Sequence, residues 1–190
     1  MKVIFLDIDG VLNTGVYIES AFKALKIAGV NAHESKAVHD ENGHQFDPIA
    51  IRMLKWIIKE TDAKIVISST WRGNGLAKMQ KLWKDRDLPG EVIDITPFHR
   101  GNGRDHLPFK ERAERGGEIK EWLDNHPEVT NYLIFDDDDD MLPSQENNFI
   151  QTNATYGITA SEAARGIHIL TGKKDEVIRN PKNGRSFEKH

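Results

Sequence analysis

Short unbroken apolar runs alternate along the chain with longer stretches in which apolar residues recur every three or four positions. Val3-Ile4-Phe5-Leu6, Ile65-Val66-Ile67, Val92-Ile93, Tyr132-Leu133-Ile134-Phe135 and Phe149-Ile150 read as five strands. The first, second and fourth are apolar at every position, as strands covered on both faces of a parallel sheet must be. The stretches between them carry helix signals. Asp47-Pro48 is an N-cap followed by Pro at the first helical position, and Ile51, Leu54, Ile57 and Ile58 form the buried stripe. A second helix covers Leu76 to Trp83 and stops at Asp87-Leu88-Pro89-Gly90, and a third runs from about Gly117 to Asn125. Thr159 with Glu162 three residues on is a capping box for a last helix through Ala164. Strands separated by helices imply right-handed crossovers and an α/β sandwich of three layers.

Two segments break this alternation. Residues 13–46 hold one weak helix, Ala21 to Ala28, and then a polar, His-rich stretch, which reads as a small cap or flap inserted after the first strand. From Thr171 the chain carries six Lys or Arg against three acids, with Asn-Pro and Asn-Gly turns, and reads as a mobile tail. The expectation is therefore a three-layer, Rossmann-like α/β domain over residues 1–170, with a five-stranded, mainly parallel sheet, an insertion at about 13–46 and a polar tail at 171–190.

Composition narrows the function. With 190 residues the chain is long enough to bury about 70% of its unfolded surface in one core. No Cys is present, which removes disulfides, thiolate metal sites and cysteine nucleophiles together. Thirty acids against 26 Lys plus Arg are too balanced to announce a nucleic-acid or membrane surface. The apolar run of MKVIFLDIDG stops at Asp7, so the start does not read as a secretory signal, and no stretch reaches the ~20 apolar residues of a membrane span. A cytoplasmic protein with no membrane and no obligate protein partner is expected.

The chemistry gathers at strand ends. The first strand runs straight into Asp7-Ile8-Asp9-Gly10, two carboxylates at i and i+2 on one side of an extended chain, about 6.6 Å apart. Such a pair repels unless solvated or bound to metal. Asp-x-Asp-Gly also opens calcium loops, but the twelfth loop position falls on Ile18 rather than Glu. The fourth strand ends in Asp136-Asp137-Asp138-Asp139-Asp140. Taken alone this is a solvated acidic loop. At the carboxyl edge of a parallel sheet, beside the first strand, Asp136 or Asp137 instead converges with Asp7 and Asp9. That crowd of oxygens calls for a hard cation, and Mg²⁺ takes one or two carboxylates with phosphate and water. Asp140 stays undecided, since a turn can bring it back. Ser68 and Ser69, ending the second strand, offer hydroxyls and free N–H groups as a phosphate cradle, or simply form a turn. Arg115, ahead of the third helix, suits phosphate as well, with Lys110 and Lys120 as competitors.

Together these four segments resemble the haloacid dehalogenase (HAD) superfamily of phosphohydrolases. Its Asp-x-Asp motif falls on Asp7-Ile8-Asp9, its Ser or Thr on Ser68 with Ser69 one residue away, its cation on Arg115, and its acidic pair on Asp136-Asp137. FLDIDGVLN, SSTWR, RGGEIKEWL and FDDDDD are also similar to HAD domains associated with nucleic-acid repair. The departures are Arg where Lys is commoner and an acidic run longer than a pair. The resemblance implies an Mg²⁺-dependent phosphomonoester hydrolase with Asp7 as nucleophile and Asp9 as general acid and base. Asp7, Asp9, Asp136 and Asp137 would serve the metal, and Ser68, Ser69 and Arg115 the substrate phosphate. A phosphotransferase or mutase, or a non-catalytic phosphate- or metal-binding module, are the rival readings. The substrate is left as a phosphorylated small molecule or a nucleic-acid end. The segment His99 to Arg115 holds five Lys or Arg, and Arg-Gly-Asn-Gly occurs at 72–75 and again at 100–103. Trp71, Phe98 and Phe109 are the few candidates for base stacking.

Overall fold

The computed structural model of the chain describes residues 1–32, 35–98 and 114–172. The first apolar run forms β1 (Lys2–Leu6), at the centre of a five-stranded sheet. After α1 (Gly15–Ile27), a two-stranded hairpin of β2 (His39–Asp40) and β3 (Gly43–His44), and α2 (Pro48–Thr61), the chain returns as β4 (Lys64–Ile67) beside β1. A 3-10 turn (Thr70–Asn74) and α3 (Leu76–Asp85) lead to β5 (Val92–Ile95) at one edge. The chain then crosses over through α4 (Glu114–Asp124) to β6 (Asn131–Asp136) on the other side of β1. A second 3-10 turn (Pro143–Asn148), β7 (Phe149–Gln151) and α5 (Ala160–Thr171) complete it. The order is β5-β4-β1-β6-β7, and every pair is parallel.

Period-two alternation explains why the strands are apolar throughout. Ile4, Leu6, Ile65, Ile67, Leu133 and Phe135 enter the core shared with α2, α3 and α5. Val3, Phe5, Val66 and Ile134 enter a second core with Ile119 and Trp122 of α4. The Trp122 ring meets Phe5 edge-on at 5.4 Å. Both faces exclude water, so residues just past the strand ends are the first that can be polar.

The helix expected to end at Ala164 continues to Thr171. Arg165-Gly166 has the look of a stop, yet Ala163, Gly166 and Leu170 share one buried stripe, and packing on the sheet overrides the weak propensity. The weak helix of the inserted region is also longer than expected, starting at Gly15 under an N-cap by Thr14, whose hydroxyl accepts from Tyr17 N at 3.3 Å. None of its residues is buried, which is why its periodicity was faint. The His-rich stretch forms the β2–β3 hairpin, held from outside. Arg86, at the end of α3, donates from Nη2 and Nε to the two Asp40 carboxylate oxygens at 2.7 and 2.8 Å and from Nη1 to His44 O at 3.0 Å. Lys110, Phe109, the second Arg-Gly-Asn-Gly and all but the start of the proposed tail lie outside the described residues.

Candidate active site

The carboxyl edge of the sheet is knitted by single backbone hydrogen bonds between neighbours. Ser68 N donates to Leu6 O (3.1 Å), Asp7 N to Phe135 O (3.0 Å), and Thr96 N to Ile67 O (3.0 Å). Each strand therefore delivers the residue that follows its apolar run at the same level. Since Leu6, Ile67 and Phe135 face the larger core, alternation turns Asp7, Ser68 and Asp136 toward the face covered by α4. All three are buried, and Ser69 with them.

Beyond Asp7 the backbone coils into a tight loop in which Leu12 N and Asn13 N both donate to Ile8 O (2.9 and 3.1 Å). Gly10 turns this corner at φ +69°. A Cβ there would lie 2.5 Å from the Asp137 Cγ, so only glycine lets the two loops meet. That meeting, with Asp138 N donating to Asp136 Oδ1 at 3.1 Å, bends the acidic run at once. Asp137 consequently does not point away as continued extension would require. Oxygens of Asp7, Asp136 and Asp137 all lie within 4.8 Å of one another, which makes them the three-carboxylate group among the described residues able to hold a metal. The Asp9 carboxylate is not in this group. It is exposed, and accepts from Asn13 Nδ2 at 2.6 Å and from Trp71 Nε1 at 3.0 Å.

Asp138 and Asp139 are exposed, whereas Asp140 folds back into the protein. Its partner is not the carboxylate group but the start of α4. Arg115 N donates to its carboxylate (3.2 Å) and Gly116 N to its carbonyl (3.2 Å). Gln145 Nε2 adds a bond to Gly116 O at 2.9 Å. Gly116 is required here, since a Cβ would stand 2.5 Å from Leu142 N. Clamped this way, α4 aims Arg115 into the carboxylates, with Nη1 2.8 Å from Asp7 Oδ1 and 3.1 Å from Asp136 Oδ2. Lys120 stands on the exposed side of the same helix and pairs with Asp124 at 2.6 Å.

Burial dominates the electrostatics. It raises Asp7 above the ordinary carboxylate range against the pull of Arg115. It pushes Asp136 up to about 8, again opposed by Arg115 and aided by Asp7. Asp137 is raised to about 6 by burial and then by the charges of Asp7 and Asp138. Burial works to lower Arg115, but Asp136 and Asp7 outweigh it and hold the guanidinium firmly charged. A site whose acids resist ionisation this strongly, with the buried Asp136 Oδ2 met by Arg115 Nη1 at 3.1 Å, is chemically suited to a divalent cation.

Sequence reasoning missed Arg72. It stands in the quoted SSTWR segment with no assigned role, yet is buried with five acceptors around its guanidinium, among them Glu118 of α4. No local pattern marks it, because its partners come from three elements. Trp71 is no open stacking platform either. Its indole donates to Asp9, its ring lies 5.7 Å from that of Phe46, and Gly43 of the hairpin approaches it. Among the described residues, no helix is long and apolar enough to cross a membrane.

The family model of the HAD domain in Swiss Army Knife RNA repair proteins matches residues 3–163. No curated protein and no solved structure gives a match.

Proposed function

From the fact that the chain belongs to the family of HAD domains in Swiss Army Knife RNA repair proteins, and from the Asp7 site, we propose that it is a Mg²⁺-dependent phosphomonoester hydrolase. The observation that carries the reading is the convergence of Arg115, Asp136 and Asp137 on Asp7 at the carboxyl edge of the sheet, with Asp9 two residues further on.

In this reading an Asp7 carboxylate oxygen attacks phosphorus and the ester oxygen leaves, giving an aspartyl-phosphate. Asp9 donates a proton to the leaving oxygen, then accepts one from the water that hydrolyses the intermediate. Its exposure and its two side-chain donors, Asn13 and Trp71, suit a group that must meet an incoming substrate while keeping a fixed orientation. Arg115 and the Ser68–Ser69 turn hold the phosphoryl oxygens. Mg²⁺, held by Asp7, Asp136 and Asp137 with the Asp9 backbone carbonyl, would offset the charge of substrate and carboxylates. The description of the family as an RNA repair domain favours a nucleotide or polynucleotide end over a sugar phosphate as substrate.

The test is phosphate release from p-nitrophenyl phosphate with Mg²⁺ and with EDTA, followed by a panel of phosphorylated nucleosides, sugars and oligonucleotide ends. Mg²⁺-dependent release supports the hydrolase. Transfer to an added sugar in preference to water would replace it with a phosphotransferase.

A further inference from the structure

Arg72 is 3% exposed and lies one layer behind the site. Its Nη1 donates to the carbonyls of Ser68 and of Ser69, the latter at 2.7 Å. Nε reaches Thr96 O and Nη2 reaches Pro97 O, both at 3.2 Å. Nη2 also binds the Glu118 carboxylate, which is itself buried. One guanidinium thus ties the end of β4, the end of β5 and the second turn of α4 into a unit, with the Phe98 ring 4.7 Å from its central carbon. Burial lowers its pKa, Glu118 opposes that shift without cancelling it, and both Arg115 and Asp7 are close enough to act on it.

A buried cation so committed is expensive if it serves stability alone, since apolar residues fill such space at less cost. The choice of partners is more informative than the burial. Ser68 and Ser69 form the proposed phosphate turn, and Glu118 is three residues from Arg115, one turn along the same helix. Anchoring Glu118 sets the roll of α4, and with it the direction of Arg115. The same side chain engages the carbonyl oxygens that an anion would otherwise meet at the strand ends.

Building on the hydrolase reading, we propose that Arg72 is a positioning residue for the phosphoryl site, acting through the Ser68–Ser69 turn and through the Glu118–Arg115 face of α4. Five acceptors in a fixed planar array need the guanidinium fork. An ammonium has three donors and no plane, so Lys does not replace it.

The experiment measures orthophosphate binding by calorimetry, together with the KM and kcat for p-nitrophenyl phosphate, in full-length Arg72→Lys and Glu118→Gln, with thermal unfolding as the control. Arg72→Lys is expected to weaken phosphate binding on the order of thirtyfold, and Glu118→Gln, the milder and near-isosteric change, about tenfold. KM should rise with them. Combining Glu118→Gln with Arg115→Ala should weaken binding little beyond Arg115→Ala alone, because that route runs through Arg115, whereas Arg72→Lys should keep in that background only the part of its loss that runs through the Ser68–Ser69 turn. Losses that add fully, or a folded variant that binds phosphate like the wild type, overturn the proposal. If Arg72→Lys fails to fold, Glu118→Gln alone decides. A wild type that binds orthophosphate but hydrolyses no ester refutes the hydrolase and leaves this test standing, whereas one that neither binds orthophosphate nor hydrolyses the ester refutes both.

Discussion

Arg115 Nη1 lies 2.8 Å from Asp7 Oδ1 and 3.1 Å from Asp136 Oδ2, bridging the ends of two neighbouring strands. One cation therefore compensates two buried acids. Replacing it by Ala leaves both without a partner in a water-poor site, the costly way to break a buried pair. Arg115→Ala should lose about 3 kcal/mol of stability in metal-free buffer, read by denaturant unfolding. The phosphatase rate proposed for it should fall at least a hundredfold, a loss of about 2.7 kcal/mol of transition-state stabilisation. A variant as stable and as active as wild type would show that the bridge is incidental.

Asp7→Asn should abolish turnover, because an amide is a poor nucleophile and a poor metal ligand. Asp9→Asn should keep some phosphoenzyme formation with leaving groups that need no proton. Trapping of labelled phosphoenzyme by acid quench separates the two. Wild-type turnover by Asp7→Asn would end the proposed mechanism.

Trp71→Phe tests the placement of Asp9. The ring can stay between Phe46 and Gly43, while the 3.0 Å bond to Asp9 Oδ2 is lost. With Asn13 still in place, a drop in kcat of about tenfold with little change in KM is expected from the loss of one hydrogen bond. A change confined to KM would mean that Trp71 touches substrate instead.

The sheet, and the convergence of its strand ends, were legible because strands covered on both faces must be apolar at every position, so the first polar residue marks the edge. Asp7, Ser68 and Asp136 stand out in the sequence for that reason. What the sequence hid depends on distant partners. The β2–β3 hairpin has two residues per strand and is fixed by Arg86, more than 40 residues away. The acidic pair names Asp137 for the metal, but the bend that brings it beside Asp7 depends on the missing side chain of Gly10, which the strand pattern does not show. Arg72 is charged and sits in a turn, where charge ordinarily means solvent, and its burial follows only from acceptors on β4, β5 and α4.

The five aspartates should separate by role in Mg²⁺ titrations of activity. Asp136→Ala and Asp137→Ala each remove a member of the three-carboxylate group and should raise the Mg²⁺ requirement at least tenfold, about 1.4 kcal/mol. Asp138→Ala and Asp139→Ala, both exposed, should change it little. Asp140→Ala is expected to leave the Mg²⁺ requirement near wild type while weakening phosphate binding, because its carboxylate holds Arg115 N rather than the metal group. Sensitivity at Asp138 or Asp139 would place the end of β6 wrongly, and insensitivity at Asp136 and Asp137 would remove the metal site.

The raised carboxylates also fix how stability should depend on pH. Asp136 is raised to about 8 and Asp137 to about 6, in both cases chiefly by burial, against an ordinary value of 3.8. Between those limits the folded protein holds protons that the unfolded chain has lost. Stability in EDTA must then fall as pH rises from about 4 and level off above about 8, the reverse of an acid stabilised by a salt bridge. Mg²⁺ competes with those protons, so its stabilising effect should grow over the same interval. Melting temperatures at pH 5.5 and 8.5, with EDTA and with Mg²⁺, check both statements. Asp136→Asn isolates the group responsible. In EDTA it should melt higher than wild type at pH 8.5, where the native carboxylate is forced to ionise, and close to wild type at pH 5.5, where that carboxylate is already protonated. A difference between the two proteins that does not change with pH would mean that Asp136 ionises freely in the fold, and that the crowding around Asp7 is relieved without a cation.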